Sequence, residues 1–129
     1  FYSQLGSPLQ PLPSVDFAGH TDMVYSAVFS PDGSQILTAS GDDTAKLWNI
    51  RGELLASFVG HSDWVKYAVF SPDGSRVLTM SDDETLKLWD TTGELLTDFV
   101  GHTDWVNSVV FSPDGNKILT ASKDNTAKL

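Results

Sequence analysis

The residues that could do chemistry recur along this chain instead of gathering at one place. A histidine, a hydroxyl and an aspartate compose a nucleophilic triad, and His20, Thr38 and Asp42 supply one such set. The trio returns at His61, Thr79 and Asp83, and again at His102, Thr120 and Asp124. A tryptophan accompanies the first two sets, as Trp48 and Trp89. One catalytic centre needs one triad, so repetition at every period argues for a structural role and against a hydrolase. His20-Thr21-Asp22, His61-Ser62-Asp63 and His102-Thr103-Asp104 each offer a metal only two ligands, where a tetrahedral site needs three or four. The run Asp82-Asp83-Glu84 lacks the alternating spacing and following glycine of a calcium loop and reads as a polar turn. No glycine-rich phosphate loop or dinucleotide fingerprint is present. No catalytic residue, metal or cofactor is expected.

The elements that must position these residues repeat at a spacing of 41. Gly19-His20, Gly60-His61 and Gly101-His102 mark the period. The turn Ser30-Pro31-Asp32-Gly33 returns at Ser71-Pro72-Asp73-Gly74 and Ser112-Pro113-Asp114-Gly115. Lys46-Leu47-Trp48 returns at Lys87-Leu88-Trp89, while the third copy runs to Leu129, before its Trp. Helical periodicity is absent, and each repeat reads as four antiparallel strands. Val24–Phe29 is the first, with neither face clearly polar, which predicts an inner strand buried on both sides. Ser-Pro-Asp-Gly reverses the chain, since Pro sets φ, Asp bonds nearby backbone and Gly accepts positive φ. Gln35–Ala39, a tight turn over Ser40–Thr44, Ala45–Asn49 and Leu54–Val59 complete the unit. Val15-Asp16-Phe17-Ala18-Gly19-His20 matches Ala56-Ser57-Phe58-Val59-Gly60-His61 and so reads as an outer, fourth strand.

A period near 40 with Gly-His early and Trp-Asp late resembles the WD-repeat family of β-propellers. The resemblance runs from about residue 12 to the C-terminus, and departs from the family pattern at Trp48-Asn49. It implies an all-β fold of four-stranded blades. Residues 1–11, with two prolines and a glycine, are a non-repeat segment. Residues 12–129 are three blades: an outer strand over 12–19, then repeats over about 20–60, 61–101 and 102–129. The resemblance also implies that the His, Thr, Asp and Trp positions form a buried hydrogen-bonded set. It implies that Met23, Trp64 and Trp105, with Tyr25, Lys66 and Asn107 two residues on, face the top of the propeller and touch partners. Gly41, Asp82 and Lys123, each before a turn aspartate, belong to the same top surface. An alternative role for the indoles is packing between blades.

Propellers close with about four to eight blades, and three repeats are too few. The chain is therefore expected to complete a ring with other copies of itself or to be part of a longer protein. Two chains would give six blades and three would give nine; the dimer is preferred. The N-terminal strand would pair with the last blade of another molecule, a head-to-tail contact. The expected function is a non-catalytic protein–protein interaction scaffold, with a peptide or protein on the top face. The alternative is a pure assembly module or fragment without a partner.

Composition narrows the partners. Eight Lys and Arg face 17 Asp and Glu, a net charge of −9. Phosphate binding needs a basic patch, so no nucleic acid is expected, and the acidity favours basic partners. Cysteine is absent, which excludes disulfides and thiolate metal sites. No apolar run reaches the roughly 18 residues of a membrane helix, and none follows a charged stretch as in a signal peptide. No membrane partner is expected, and the cytoplasm is the expected location.

Overall fold

A computed structural model describes residues 14–100 and 106–122, and the backbone of 127–128. Among these residues every regular element is a β-strand. Strands β1 (Val24–Phe29), β2 (Gln35–Ser40), β3 (Thr44–Asn49) and β4 (Leu54–Val59) form one antiparallel sheet in chain order. Strands β5 (Val65–Phe70), β6 (Arg76–Ser81), β7 (Leu86–Asp90) and β8 (Leu95–Phe99) form a second. The third holds β9 (Val106–Phe111), β10 (Ile118–Ser122) and β11 (Ala127–Lys128). These are the blades of a β-propeller, and the three do not close a ring.

The turns form because their side chains complete the backbone's hydrogen bonding. Asp32 accepts from the Ser34 main-chain N–H at 2.9 Å and from the hydroxyls of Ser30 and Ser34, each at 2.7 Å. These bonds favour the carboxylate and hold Asp32 at about 2. Asp73 repeats the arrangement and the value. At the turn between β3 and β4 Asn49 Oδ1 accepts from the N–H groups of Arg51 and Glu53, as Asp90 Oδ1 accepts from Thr92 and Glu94 between β7 and β8. The turn uses a single acceptor oxygen, which explains why Asn49 can replace the aspartate of the family pattern. Gly52 and Gly93 follow with φ of +87° and +97°. A Cβ on Gly52 would stand 2.6 Å from the Asp16 carbonyl oxygen, and one on Gly93 2.8 Å from that of Ser57. Only glycine admits both the backbone conformation and the approach.

The first two sheets pack face to face. Leu37, Ala39, Ala45, Leu47, Ala56 and Phe58 of the first meet Val65, Ala68, Val77 and Trp89 of the second in one buried cluster. Phe58 is completely buried, and its ring meets Trp89 edge-on at 5.6 Å and 66°. Burying such a side chain contributes about 1.5–3 kcal/mol. A second cluster joins Leu78, Met80, Leu86 and Leu88 to Val106 of the third sheet.

Burial of the inner strand on both sides does not hold for β1. Val24 is 49% exposed and Phe29 68%, because β1 packs on the second sheet and no sheet of the described chain covers its other face. The expected outer strand at 12–19 is described from Ser14 onward and pairs there with no strand. It nevertheless lies against the first sheet as β4 lies against the second. Phe17 meets Trp48 at 5.8 Å and 71°, the counterpart of Phe58 on Trp89.

The recurring polar set forms a buried relay in the first two sheets. Trp48 Nε1 donates to Thr38 Oγ1 at 2.9 Å, and Trp89 Nε1 to Thr79 Oγ1 at 2.9 Å. The hydroxyls lie 2.7 Å from His20 Nε2 and 2.6 Å from His61 Nε2, and donate to them. The imidazole Nδ1–H groups then donate to Asp42 and Asp83 at 2.8 Å. Asp83 also accepts from Ser62 N–H at 3.1 Å and Thr85 N–H at 2.9 Å. Burial works to raise both carboxyls, but the bonds from the threonine hydroxyl, the imidazole and the main chain outweigh it. Asp42 sits at about 2, and Asp83 is lowered as well. Burial lowers His61, against the pull of Asp83, and keeps the ring neutral. In the third sheet Thr120 is buried, while His102 and Asp124 lie outside the described residues.

Replacing Asp83 with Ala leaves the His61 Nδ1–H and two loop amides without their acceptor. The expected loss is about 1–3 kcal/mol, read as a lower midpoint in urea, and an unchanged midpoint would make Asp83 a merely solvated turn residue. Acid should act on the same relay. His61 binds its proton more readily unfolded than folded, so stability falls as pH drops below the ordinary histidine value of 6.5. Asp42 likewise binds its proton more readily unfolded, and its share is lost between 3.8 and about 2. Urea midpoints measured from pH 8 to pH 3 should be level above neutrality and decline below it; a midpoint that held or rose between pH 7 and pH 5 would contradict the neutral, buried His61.

Candidate functional site

With the His, Thr, Asp and Trp relay of the first two sheets occupied in holding loops to sheets, the other positions singled out in the sequence lie at the end of the inner strands. Each inner strand carries an irregularity there. On β1 the pairing runs from Val24↔Ser40 to Ser26↔Ala39, so Tyr25 is an extra residue in the ladder. On β5 it passes from Val65↔Ser81 to Tyr67↔Met80, which leaves Lys66 extra. On β9 it passes from Val106↔Ser122 to Ser108↔Ala121, which leaves Asn107 extra. A bulge re-aims the side chain it contains. The three bulged positions are the three that the sequence singled out two residues after Met23, Trp64 and Trp105. The bulge itself had no signal in the sequence.

The bulges help build one composite patch across two sheets. The ring of Tyr25, from the first sheet, lies 5.6 Å from that of Trp64, which enters the second, at an interplanar angle of 34°. Lys66 Nζ stands 5.5 Å from the Tyr25 ring centre and 5.7 Å from that of Trp64, within range of cation–π attraction. Asp82 Oδ2 lies 3.8 Å from the same ammonium. The main chain ties the two loops together, since the Asp82 N–H donates to the Trp64 carbonyl at 2.9 Å. Trp64 is 45% exposed and Met23 66%. The Trp64 indole therefore packs on Tyr25 of the neighbouring blade and keeps an exposed face. Asp63 fixes its entry by accepting from the Trp64 N–H at 2.8 Å, as Asp22 does for Met23 at 2.7 Å.

The other expected positions divide. Asn107 is exposed on β9, apart from this patch. Gly41 is buried and donates its N–H to the Met23 carbonyl at 2.8 Å. A Cβ there would meet the Tyr25 ring at 3.2 Å. Gly41 thus seats Tyr25 and offers no contact surface of its own. Trp105 and Lys123 lie outside the described residues. Carboxylates rim the patch: Asp43 is raised by desolvation first and then by repulsion from Asp63, Asp42, Asp83 and Asp22. No group of three or more potential metal ligands occurs among the described residues, nor any helix long and apolar enough to cross a membrane. The arrangement can present aromatic area beside fixed charges.

Comparison with known proteins accounts for the repeat. The WD40 family, described as WD domain, G-beta repeat, matches residues 11–49, 52–90 and 93–129. A ribosome biogenesis protein BOP1 homolog of Drosophila grimshawi is 44% identical over 52 residues, covering 36% of this chain and 7% of that protein. A Notchless protein homolog of Arabidopsis thaliana is 45% identical over 40 residues, covering 31% and 8%. Apoptotic protease-activating factor 1 of Rattus norvegicus is 50% identical over 36 residues, covering 28% and 3%. The chain spans less than a tenth of the length of each of these relatives. With all three repeats matched, the chain belongs to the WD40, G-beta repeat family.

Proposed function

We propose that this chain is a non-catalytic interaction scaffold whose contact surface is the end carrying Met23, Tyr25, Trp64 and Lys66. WD40 repeats imply protein–protein interaction in general. The observation that carries this reading is the half-exposed Trp64 tilted against Tyr25 beside the Lys66 ammonium. Such a ring is already rigid, so a partner covers it at little further cost in ordering. Aromatic anchors of this kind dominate binding energies. Lys66, Asp82 and Lys123 supply polar selectivity around them, and the net charge of −9 favours a basic partner. Replacing Trp64 and Trp105 together with Ala should weaken a partner by roughly 2 kcal/mol or more. Affinity and melting are to be measured on the same double variant. Unchanged affinity with a lowered midpoint would assign both indoles to packing between blades alone.

The 129-residue polypeptide is also proposed to complete its blades by self-association. Support comes from the segment at 14–20, which lies on the first sheet as an outer strand does yet pairs with no strand among the described residues. The segment of one copy and the third sheet of another complement each other head to tail. Two copies make six blades, within the usual range, and three make nine. Native mass spectrometry should show an integral multiple of the chain mass, with two preferred. A stable, cooperatively folding monomer would leave the scaffold reading to a longer polypeptide and end the self-association reading.

A further inference from the structure

The first strands carry another surface at the end away from Met23 and Trp64, which precede β1 and β5. There a groove of about 370 Å³ runs across all three sheets. Val28, Val69, Val109, Pro31 and Pro72 line it, and apart from Ser71 every wall is valine, phenylalanine or proline. Strands β1, β5 and β9 and the turns that follow them supply all of these residues. The walls thus come from three neighbouring sheets and do not wait on a further one. The turns brace one another: a Cβ on Gly74 would lie 3.5 Å from Pro31 Cδ, and one on Gly115 3.5 Å from Pro72 Cδ. A polar recess of about 310 Å³ adjoins the groove, since Ser71 and Pro72 line both. Asp73 and Asp114 stand in it with Arg76. Each carboxylate uses Oδ1 for its own turn. Asp73 Oδ1 accepts from the Ser75 N–H at 3.0 Å and from the Ser71 and Ser75 hydroxyls at 2.7 Å. Asp114 Oδ1 accepts from the Ser112 hydroxyl at 2.6 Å and the Asn116 N–H at 3.0 Å. Oδ2 of each is left for another donor. The same bonds keep both carboxyls ionised, Asp73 at about 2 and Asp114 lowered.

We propose that this end docks a partner segment in which a large apolar side chain is followed by arginine, with the apolar group in the groove and the guanidinium on Asp73 and Asp114. The groove has the volume and the apolar lining of a binding pocket, and an apolar side chain gains by leaving water there. Charge selects its neighbour. Two carboxylates against the one guanidinium of Arg76 leave the recess negative, within a chain of net charge −9. Arginine suits it better than lysine, because its planar fork of donors can reach an oxygen of each carboxylate at once. Braced turns and carboxylates already fixed by their own hydroxyls need little ordering when the partner arrives. This surface and the one around Trp64 lie at opposite ends of the same strands, so occupancy of one leaves the other open.

The test uses the 129-residue chain with labelled valine methyl groups and the acetylated, amidated peptide Gly-Phe-Arg-Gly, beside its Phe→Ala and Arg→Gln forms. The parent peptide should shift the Val28 and Val69 signals saturably, while Val24 and Val65, at the other end of the same strands, stay in place. The Phe→Ala form should give no shift. The Arg→Gln form should bind about three- to tenfold more weakly at low salt, a gap that narrows as salt is raised. In the double variant Asp73→Asn, Asp114→Asn each side chain keeps an Oδ1 for its turn, as Asn49 does at another turn. That variant should fold and bind the parent and Arg→Gln peptides alike. No saturable shift, shifts at Val24 and Val65 instead, or equal binding of the Phe→Ala form would overturn the groove. A parent peptide no tighter than its Arg→Gln form, or a gap that persists in the folded double variant, would overturn the arginine.

Discussion

The hydrogen bond from a buried indole to a threonine hydroxyl is the joint on which the rest of this molecule hangs. Trp48 and Trp89 sit on third strands, and Thr38 and Thr79 on second strands. The indole N–H must be satisfied when the ring is buried. Once the hydroxyl has accepted that proton, its own proton points to the imidazole, and the imidazole's other nitrogen to the turn carboxylate. The carboxylate in turn fixes two loop segments by their amides. A chain of donors in a dry interior is cooperative, and it is costly to leave half-made. Packing of the ring and ordering of the surface loops are therefore one event.

The same indole connects neighbouring sheets, because its edge-on partner, Phe17 or Phe58, comes from the preceding unit of the chain. Stability then passes from neighbour to neighbour, as in other repeat architectures. Where a neighbour is present on one side only, apolar groups stand open. Phe29 on β1 and Leu119 on β10 are 68% and 47% exposed. Among the described residues the third sheet contributes one buried hydrophobic residue, Val106, to its cluster.

Much of this could be read from the residues before the structure. The 41-residue period, the Ser-Pro-Asp-Gly turns and the tryptophans located every strand of the first two sheets, and the polar relay fell on the expected atoms. These features are local or repeat in place, so their meaning does not depend on distant parts of the chain. The exposure of β1 was not legible. Its pattern is that of an inner strand, and burial of such a strand depends on sheets that lie beyond its own repeat. The seating of Tyr25 on Gly41 and the bulges at Tyr25, Lys66 and Asn107 were also hidden. A bulge adds a residue without changing the alternation on either side of it, and many side chains tolerate the position.

That tolerance separates what holds the blade from what it displays. The residues flanking each bulge keep the same apolar start, Val24, Val65 and Val106, and bond across to Ser40, Ser81 and Ser122. Between them stand a phenol, an ammonium and an amide. Because the extra residue lies outside the ladder, it answers to no partner strand. One backbone can thus carry unlike side chains at equivalent points around its rim, and a new partner can be accommodated by exchanging a few rim residues while the sheets fold as before.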